Sequence, residues 1–176
     1  MLPKIDVASA PSIVRVSLPR ISCMPSYQWM DIPMVFRNIS RDFSRCHISK
    51  MTRPEFLSGE WCGHRCGHML DHIDPPIHDL ILNTRSLTVD DLPAPPGEVL
   101  KTVIEDSKGR QSFMEFRLSG YIYASGKVAL TKMSNTQLWA WEYKGAMTPF
   151  GIAGIWGNGR EIVGGYCWIW KKQWCE

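Results

Sequence analysis

The sequence predicts an all-β protein: a small antiparallel barrel of about eight strands, of the lipocalin or streptavidin kind, behind an irregular N-terminal arm that contains several prolines. The main observation is that short segments over residues 126–171 carry large aromatic side chains at every second position, with glycine-bearing turns between them. Such alternation is typical of strands that bury one face. Several strands of this kind need a common interior, and a closed barrel supplies it without exposed edges.

The first 55 residues differ from the rest and are predicted to form the arm, with the barrel domain spanning residues 56–176. Their prolines are spaced too closely for any long helix. These prolines are Pro3, Pro11, Pro19, Pro25 and Pro33. Two short apolar pieces, residues 13–16 and 34–36, are expected either to pair as edge strands or to lie against the barrel. The alternative is an arm that is only partly ordered.

Alternation along the barrel region predicts eight strands and little helix. The strands are expected near residues 57–67, 77–83, 98–106, 112–119, 126–133, 137–144, 148–157 and 164–171. Residues 107–110 and 124–126 are predicted to be hairpin turns, and the proline-rich stretch 90–97 a loop. Eight strands is the number at which side chains just fill a barrel or enclose one small ligand.

Bulk properties exclude several function classes. The formal net charge of +3 is too small to indicate nucleic-acid binding, although the arm is mildly basic. No apolar run is long enough to span a membrane, and no signal peptide is recognisable at the N-terminus. A cytoplasmic or nuclear location is therefore expected, and the six cysteines are expected to be reduced thiols.

Large aromatic residues form the first candidate site, because several of them share one face of a strand. Indole rings offer a wide apolar contact and one N–H donor each, which suits the lining of a ligand cavity. The alternative is that the same rings simply fill the barrel core. The candidate ligand-binding aromatics are Trp61, Trp139, Trp141, Tyr143, Trp156, Trp168 and Trp170.

Two charged residues, Arg65 and Glu115, alternate with apolar neighbours and are added to the candidate binding site. If Arg65 points inward beside Trp61, its guanidinium needs a partner, because an unpaired buried charge is costly. That partner would be an anionic ligand or a chain terminus. Alternatively, Arg65 pairs with a carboxylate of the protein or reaches the barrel rim.

Thiols and imidazoles alternate at Cys62, His64, Cys66 and His68, and both groups are zinc ligands. On a strand they would project from one face, with Trp61 on the other. A strand separates positions i and i+2 by about 6.5–7 Å, which is too far for neighbouring ligands of one tetrahedral ion. We therefore predict no metal and no other cofactor; a metal or haem site would require this strand to curl.

Several segments together resemble the C-terminal β-barrel domain of F-box and F-box-like proteins, most closely those of fungi. The matching segments are residues 57–63, 74–79, 126–130, 147–157 and 164–170, which include Met-Thr-Pro-Phe-Gly-Ile and Gly-Gly-Tyr-Cys-Trp-Ile-Trp. In that family the F-box recruits a ubiquitin-ligase scaffold and the barrel is taken to receive the substrate. This chain departs from the pattern, because the prolines of residues 1–55 do not allow the helices of an F-box.

These observations predict a non-catalytic binding domain that captures a peptide, a chain terminus or a small apolar ligand in an aromatic-lined barrel. The resemblance implies a relative of ubiquitin-ligase substrate receptors, with the arm available to a protein partner. Catalytic motifs such as a nucleophile elbow or a phosphate loop are absent, and no catalytic residue is assigned. The alternative function is a small cofactor-independent isomerase or cyclase that uses the barrel cavity, with Arg65 and Glu115 as its polar groups.

Overall fold

The computed structural model describes residues 18–20, 48–67, 74–91, 93–134, 140–148, 150–159 and 163–175. Within these ranges the chain is almost entirely β-structure. Its elements are helix α1 (Pro54–Leu57), strands β1 (Gly59–Gly67), β2 (Ile77–Leu82), β3 (Thr84–Ser86), β4 (Leu100–Gln111), β5 (Met114–Tyr123), β6 (Lys127–Ser134), β7 (Ala140–Thr148), β8 (Gly151–Gly157) and β9 (Val163–Lys171), and a 3₁₀ helix (Lys172–Cys175).

Eight of these strands close into an antiparallel barrel, as the sequence predicts. The hydrogen-bonded order is β2-β1-β9-β8-β7-β6-β5-β4, and β4 pairs with β2 to close the ring. The short strand β3 is an addition, because it pairs with β4 outside the ring. A bulge at Asp106, where φ is +40°, separates the part of β4 that pairs with β3 from the part that pairs with β2.

Each of the eight predicted strands corresponds to a barrel strand, but one predicted turn is wrong. Residues 107–110 lie inside β4 rather than in a hairpin turn, and the chain reverses at Ser112, whose φ is +56°. The polar and glycine residues there are not turn residues: Ser107 is fully buried, and the ring of Phe116 lies across Gly109. The turn predicted at 124–126 is confirmed.

Two separate apolar clusters lie on opposite sides of the barrel wall. The larger one fills the interior and includes Trp61, Tyr143 and Ile169. The smaller one contains Cys62 and Trp170, together with Trp174 of the 3₁₀ helix. Because Cys62 and Trp170 alternate with interior residues of β1 and β9, the smaller cluster lies on the outer surface of the barrel.

The chain just before β1 packs against one end of the barrel. Residues 48–51 are helical, Met51 is only 2% exposed and belongs to the interior cluster, and α1 follows directly. The indole N–H of Trp61 donates to the Leu57 carbonyl at 2.7 Å, and the Thr102 hydroxyl donates to the Thr52 carbonyl at 2.5 Å. We call this the closed end.

Residues 48–55 belong to the predicted irregular arm, and their helical turns do not follow from the sequence pattern. The apolar pieces at 13–16 and 34–36 lie outside the described residues. Of the remaining arm, residues 18–20 are described, and the backbone N–H of Arg20 donates to the Trp174 carbonyl at 2.7 Å. No helix in the described part of the chain is both long and apolar enough to cross a membrane.

Gly145 and Gly154 face each other across β7 and β8, where the two backbones approach closely. A Cβ atom on Gly145 would lie 2.3 Å from the Ala153 carbonyl oxygen and 2.8 Å from the Gly154 Cα. We therefore expect Gly145→Ala to lower the free energy of unfolding by about 1–3 kcal/mol, measured by urea denaturation with tryptophan fluorescence. Ala146→Ser, at the exposed neighbouring position, is the control. An equal loss in both variants would contradict this explanation.

Candidate functional site

A group of polar side chains occupies the barrel interior at the end opposite α1. Strand alternation directs four of these side chains inward, in line with the apolar residues that fill the centre, and the fifth precedes β2. They are joined by short contacts and by the electrostatic effect of Arg65 on its neighbours. We call this group the polar end; its members are Arg65, Asp74, Gln111, Lys132 and Tyr143.

Arg65 packs against an aromatic wall inside the barrel. Its guanidinium carbon is 4.2 Å from the ring centroid of Trp156, a favourable cation–π distance. Trp156 is fixed in turn, because its indole N–H donates to the Cys66 carbonyl at 3.1 Å and its ring meets Trp141 edge-on at 5.1 Å. The Trp156 ring is therefore a rigid platform for the guanidinium.

The charge of Arg65 is only partly satisfied. Its Nε lies 2.9 Å from Asp74 Oδ2, an ion pair that lacks the alignment of a hydrogen bond. Its Nη1 is buried and has no hydrogen-bond partner among the described residues. The side chain as a whole is 15% exposed, whereas Nε and Nη1 are themselves buried.

Lys132 is a buried amine held by a neutral acceptor. Its side chain is 6% exposed, and Nζ lies 4.3 Å above the ring centroid of Phe116 and donates to Gln111 Oε1. The Gln111 amide is oriented for this role, because its Nε2 donates to the Pro75 carbonyl at 2.9 Å. Burial, reinforced by the positive charge of Arg65, lowers the pKa of Lys132 to about 7.

Tyr143 and Cys167 complete the lining and stay protonated at neutral pH. Burial raises the pKa of Tyr143 to about 12, although the charge of nearby Arg65 and its hydrogen-bonding contact with the hydroxyl act in the opposite direction. Burial likewise raises the pKa of the Cys167 thiol to about 12. The Tyr143 hydroxyl is buried beside Arg65, and a contact with the guanidinium engages only its oxygen, so its O–H is an available donor.

The structure brings four of the predicted site residues together and places a fifth elsewhere. Arg65, Trp141, Tyr143 and Trp156 meet at the polar end. Trp61 also faces the interior, but it lies at the closed end, where it is fully buried in the core. Trp139 lies outside the described residues.

Three predicted site residues lie on the outer surface, so the prediction that they line the interior is wrong. Glu115 is exposed, and its carboxylate accepts a hydrogen bond from Arg110 at 3.0 Å. Trp168 donates from its indole nitrogen to the Phe150 carbonyl at 2.8 Å. Trp170 is fully buried, but within the outer cluster rather than the barrel. Because Trp170 is buried although it faces outward, burial of a strand face does not by itself identify the barrel interior.

Three members of the polar end were missed: Asp74, Gln111 and Lys132. A signal for two of them existed in the sequence. Lys132 follows Leu130 at the two-residue spacing of an inward face, and Gln111 follows Gly109 in the same way. Asp74 precedes β2 and lies outside the strands, so alternation along a strand does not predict its direction.

The alternating Cys and His residues behave partly as expected. Cys62 belongs to the outer cluster, and the His64 ring lies 6.0 Å from the Trp170 ring, so both point away from the barrel interior. His68 lies outside the described residues. Across the described ranges no group of three or more His, Cys, Asp or Glu side chains is arranged to hold a metal ion.

Comparison with known proteins identifies no relative. No protein-family model, no curated protein and no solved structure matches this chain. The resemblance to F-box-associated barrels therefore stays a prediction.

The lowered pKa of Lys132 gives the protein a specific pH dependence. An unfolded lysine titrates near 10.5, whereas folded Lys132 titrates near 7. Between these values the unfolded state binds more protons than the native state, so stability rises with pH. The contribution of neutral Lys132 to the free energy of unfolding is therefore fully present above pH 10.5 and is lost as pH falls through about 7.

We expect the unfolding free energy of the wild type, relative to Lys132→Met, to rise by about 1–2 kcal/mol between pH 7 and 8.5. Methionine keeps the volume of the side chain and cannot titrate. Urea denaturation at several pH values measures both proteins. Subtraction removes the effects of other groups, including the raised pKa values of Cys62 and Cys167. Parallel curves for the two proteins would show that Lys132 keeps an ordinary pKa.

Proposed function

We propose that this chain is a non-catalytic binding domain that captures an apolar ligand through an acidic group at the polar end of its barrel. The ligand is a peptide with a free C-terminal carboxylate or a small apolar acid. The observation that carries the proposal is the position of Arg65. Its guanidinium lies on Trp156 with one buried nitrogen, Nη1, that lacks a hydrogen-bond partner among the described residues.

The hydrogen-bonding groups of the polar end suit a carboxylate. Arg65 offers the N–H groups of Nη1, and charge-assisted bonds of this kind are about twice as strong as neutral ones. The buried Tyr143 hydroxyl, which lies beside Arg65, supplies a second donor. The rings of Trp141 and Trp156 would contact the apolar part of the ligand.

The balance of charge supports the same ligand class. Asp74 offsets the positive charge of Arg65. Lys132 adds about half of a positive charge at neutral pH, because its pKa is about 7. An acidic ligand would neutralise this excess and raise the pKa of Lys132. Anion binding should therefore be accompanied by proton uptake.

The wider setting follows from the predicted family. A barrel that receives an acidic chain end fits a substrate receptor related to those of ubiquitin ligases, with the N-terminal arm available to a protein partner. We place the protein in the cytoplasm or nucleus. No disulfide joins the four cysteines of the described ranges, in keeping with a reducing compartment.

A second candidate function is a small cofactor-independent isomerase or cyclase. The observation that favours it is the pKa of Lys132, because a buried group that titrates near 7 is matched to general acid–base catalysis. Proton exchange at an activated carbon of a bound ligand, lost in Lys132→Met, would support this function over simple binding.

Binding can be tested by tryptophan fluorescence with ligands matched in pairs. One pair is 3-phenylpropanoate and its amide, and the other is an apolar peptide with a free or an amidated C-terminus. We expect saturable binding of both carboxylates, and affinities weaker by about tenfold or more for the amides. Equal binding of acid and amide would contradict the proposal.

Arg65→Lys tests the residue itself, because it keeps the positive charge and removes the planar donor group. We expect this variant to lose about tenfold in affinity for the carboxylates, a change of about 1.4 kcal/mol. Arg110→Lys makes the same substitution on the outer surface and should bind as the wild type does. Unchanged affinity in Arg65→Lys would place the ligand elsewhere.

A further inference from the structure

We propose that Lys132 is a carbonyl-capture site, whose amine forms an imine with an aldehyde or ketone group of a ligand held at the polar end. This inference rests on the proposed function and adds a chemical class to the ligand. The ligand would be an apolar oxo acid or an aldehyde that carries an acidic group. Arg65 would bind the acidic group, and Lys132 would react with the carbonyl.

Nζ of Lys132 is paired with a neutral acceptor rather than with a carboxylate. Phe116 of β5 lies beneath the amine, and the acceptor provided by β4 is the uncharged Gln111. No carboxylate in the described chain lies within ion-pair distance of Nζ. A neutral acceptor leaves the amine free to exist without its proton, whereas a directly paired carboxylate would hold it as an ammonium ion.

The charged and titratable groups that face Lys132 act in both directions. Burial and Arg65 of β1 lower the pKa of Lys132, and Asp74 before β2 partly opposes them. Tyr143 of the neighbouring strand β7 stays neutral, because its pKa is raised to about 12. The sum leaves about half of the Lys132 amine neutral at pH 7, against less than about one part in a thousand for an ordinary lysine.

The reaction needs no oxidant or reductant. The lone pair of Nζ attacks the carbonyl carbon and forms a C–N bond, while the carbonyl oxygen takes up a proton. Loss of that oxygen as water, with both amine protons, leaves the C=N bond of a neutral imine. A desolvated lysine with a lowered pKa is the usual nucleophile of such steps.

A second buried lysine provides an internal control. Lys171 is also buried and its pKa is also lowered by burial, but it lies at the closed end. Its Nζ donates to the Ser58 carbonyl at 3.1 Å and lies near the rings of Phe56 and Trp61. If burial alone produced reactivity, Lys171 would react as Lys132 does.

The experiment treats the full chain with 4-carboxybenzaldehyde and sodium cyanoborohydride at pH 7, followed by peptide mass spectrometry. Cyanoborohydride reduces an imine to a stable secondary amine. We expect Lys132 to be labelled at least about tenfold faster than the exposed Lys101 and Lys127, with little label on Lys171. Label spread evenly over the lysines, or none on Lys132, would overturn the inference.

Two variants separate reactivity from folding. Lys132→Met removes the amine, and its label should vanish while the exposed lysines react as before. Gln111→Glu keeps the shape of the acceptor and adds a carboxylate beside Nζ. It should raise the pH at which labelling is half-maximal by about one unit or more. An unchanged pH profile in Gln111→Glu would contradict the role assigned to the neutral acceptor.

The two proposals can fail independently. The fluorescence titration with 4-carboxybenzyl alcohol measures acid binding without a carbonyl, and labelling with benzaldehyde measures amine reactivity without an acid. Binding of the alcohol without a Lys132 adduct overturns the carbonyl capture alone. A Lys132 adduct that forms equally fast with benzaldehyde, without binding of the alcohol, overturns the acidic-ligand function and the oxo-acid class.

Discussion

Closure of the sheet through the pairing of β2 with β4 is the constraint on which the rest of the structure depends. An open sheet would leave polar side chains on either face within reach of water. Once the ring is closed, every second residue of eight strands faces a narrow interior that has little room for solvent. Closure in turn depends on the bulge at Asp106, where β4 changes its partner from β3 to β2. The chemistry of the polar end is therefore a consequence of the topology.

Most of the fold could be predicted from the sequence because alternation and turn residues act locally. Eight strands and the turn at 124–126 follow from patterns a few residues long. The error at 107–110 has a physical reason: Ser-Lys-Gly-Arg has the composition of a turn, yet Gly109 is needed where the Phe116 ring crosses the strand. Such a requirement arises from a neighbouring strand, and the local sequence does not contain it.

The site was less predictable, because alternation separates two faces without saying which one is inside. Arg65, Tyr143 and Trp156 face the interior, where Arg65 pairs with the Asp74 carboxylate, whereas Trp168 and Trp170 face outward. The 3₁₀ helix at the end of the chain explains this error: Trp174 covers Trp170 and gives β9 a second buried face. Pattern reasoning also favoured aromatic residues over a single inward lysine, although Lys132 occupies the more unusual environment.

A comparison of the two buried lysines explains why we propose the polar end, rather than the closed end, as the binding site. Lys171 donates to a backbone carbonyl, beside the aromatic rings at the closed end. Lys132 donates to a side chain that is itself held by Pro75, next to an arginine whose like charge destabilises the ammonium form. Placing two cations near each other in a desolvated interior costs free energy, and a hydrophobic side chain at either position would remove that cost. An acidic ligand would convert the same arrangement from a cost into a source of affinity, which is the physical reason to regard the polar end as a binding site.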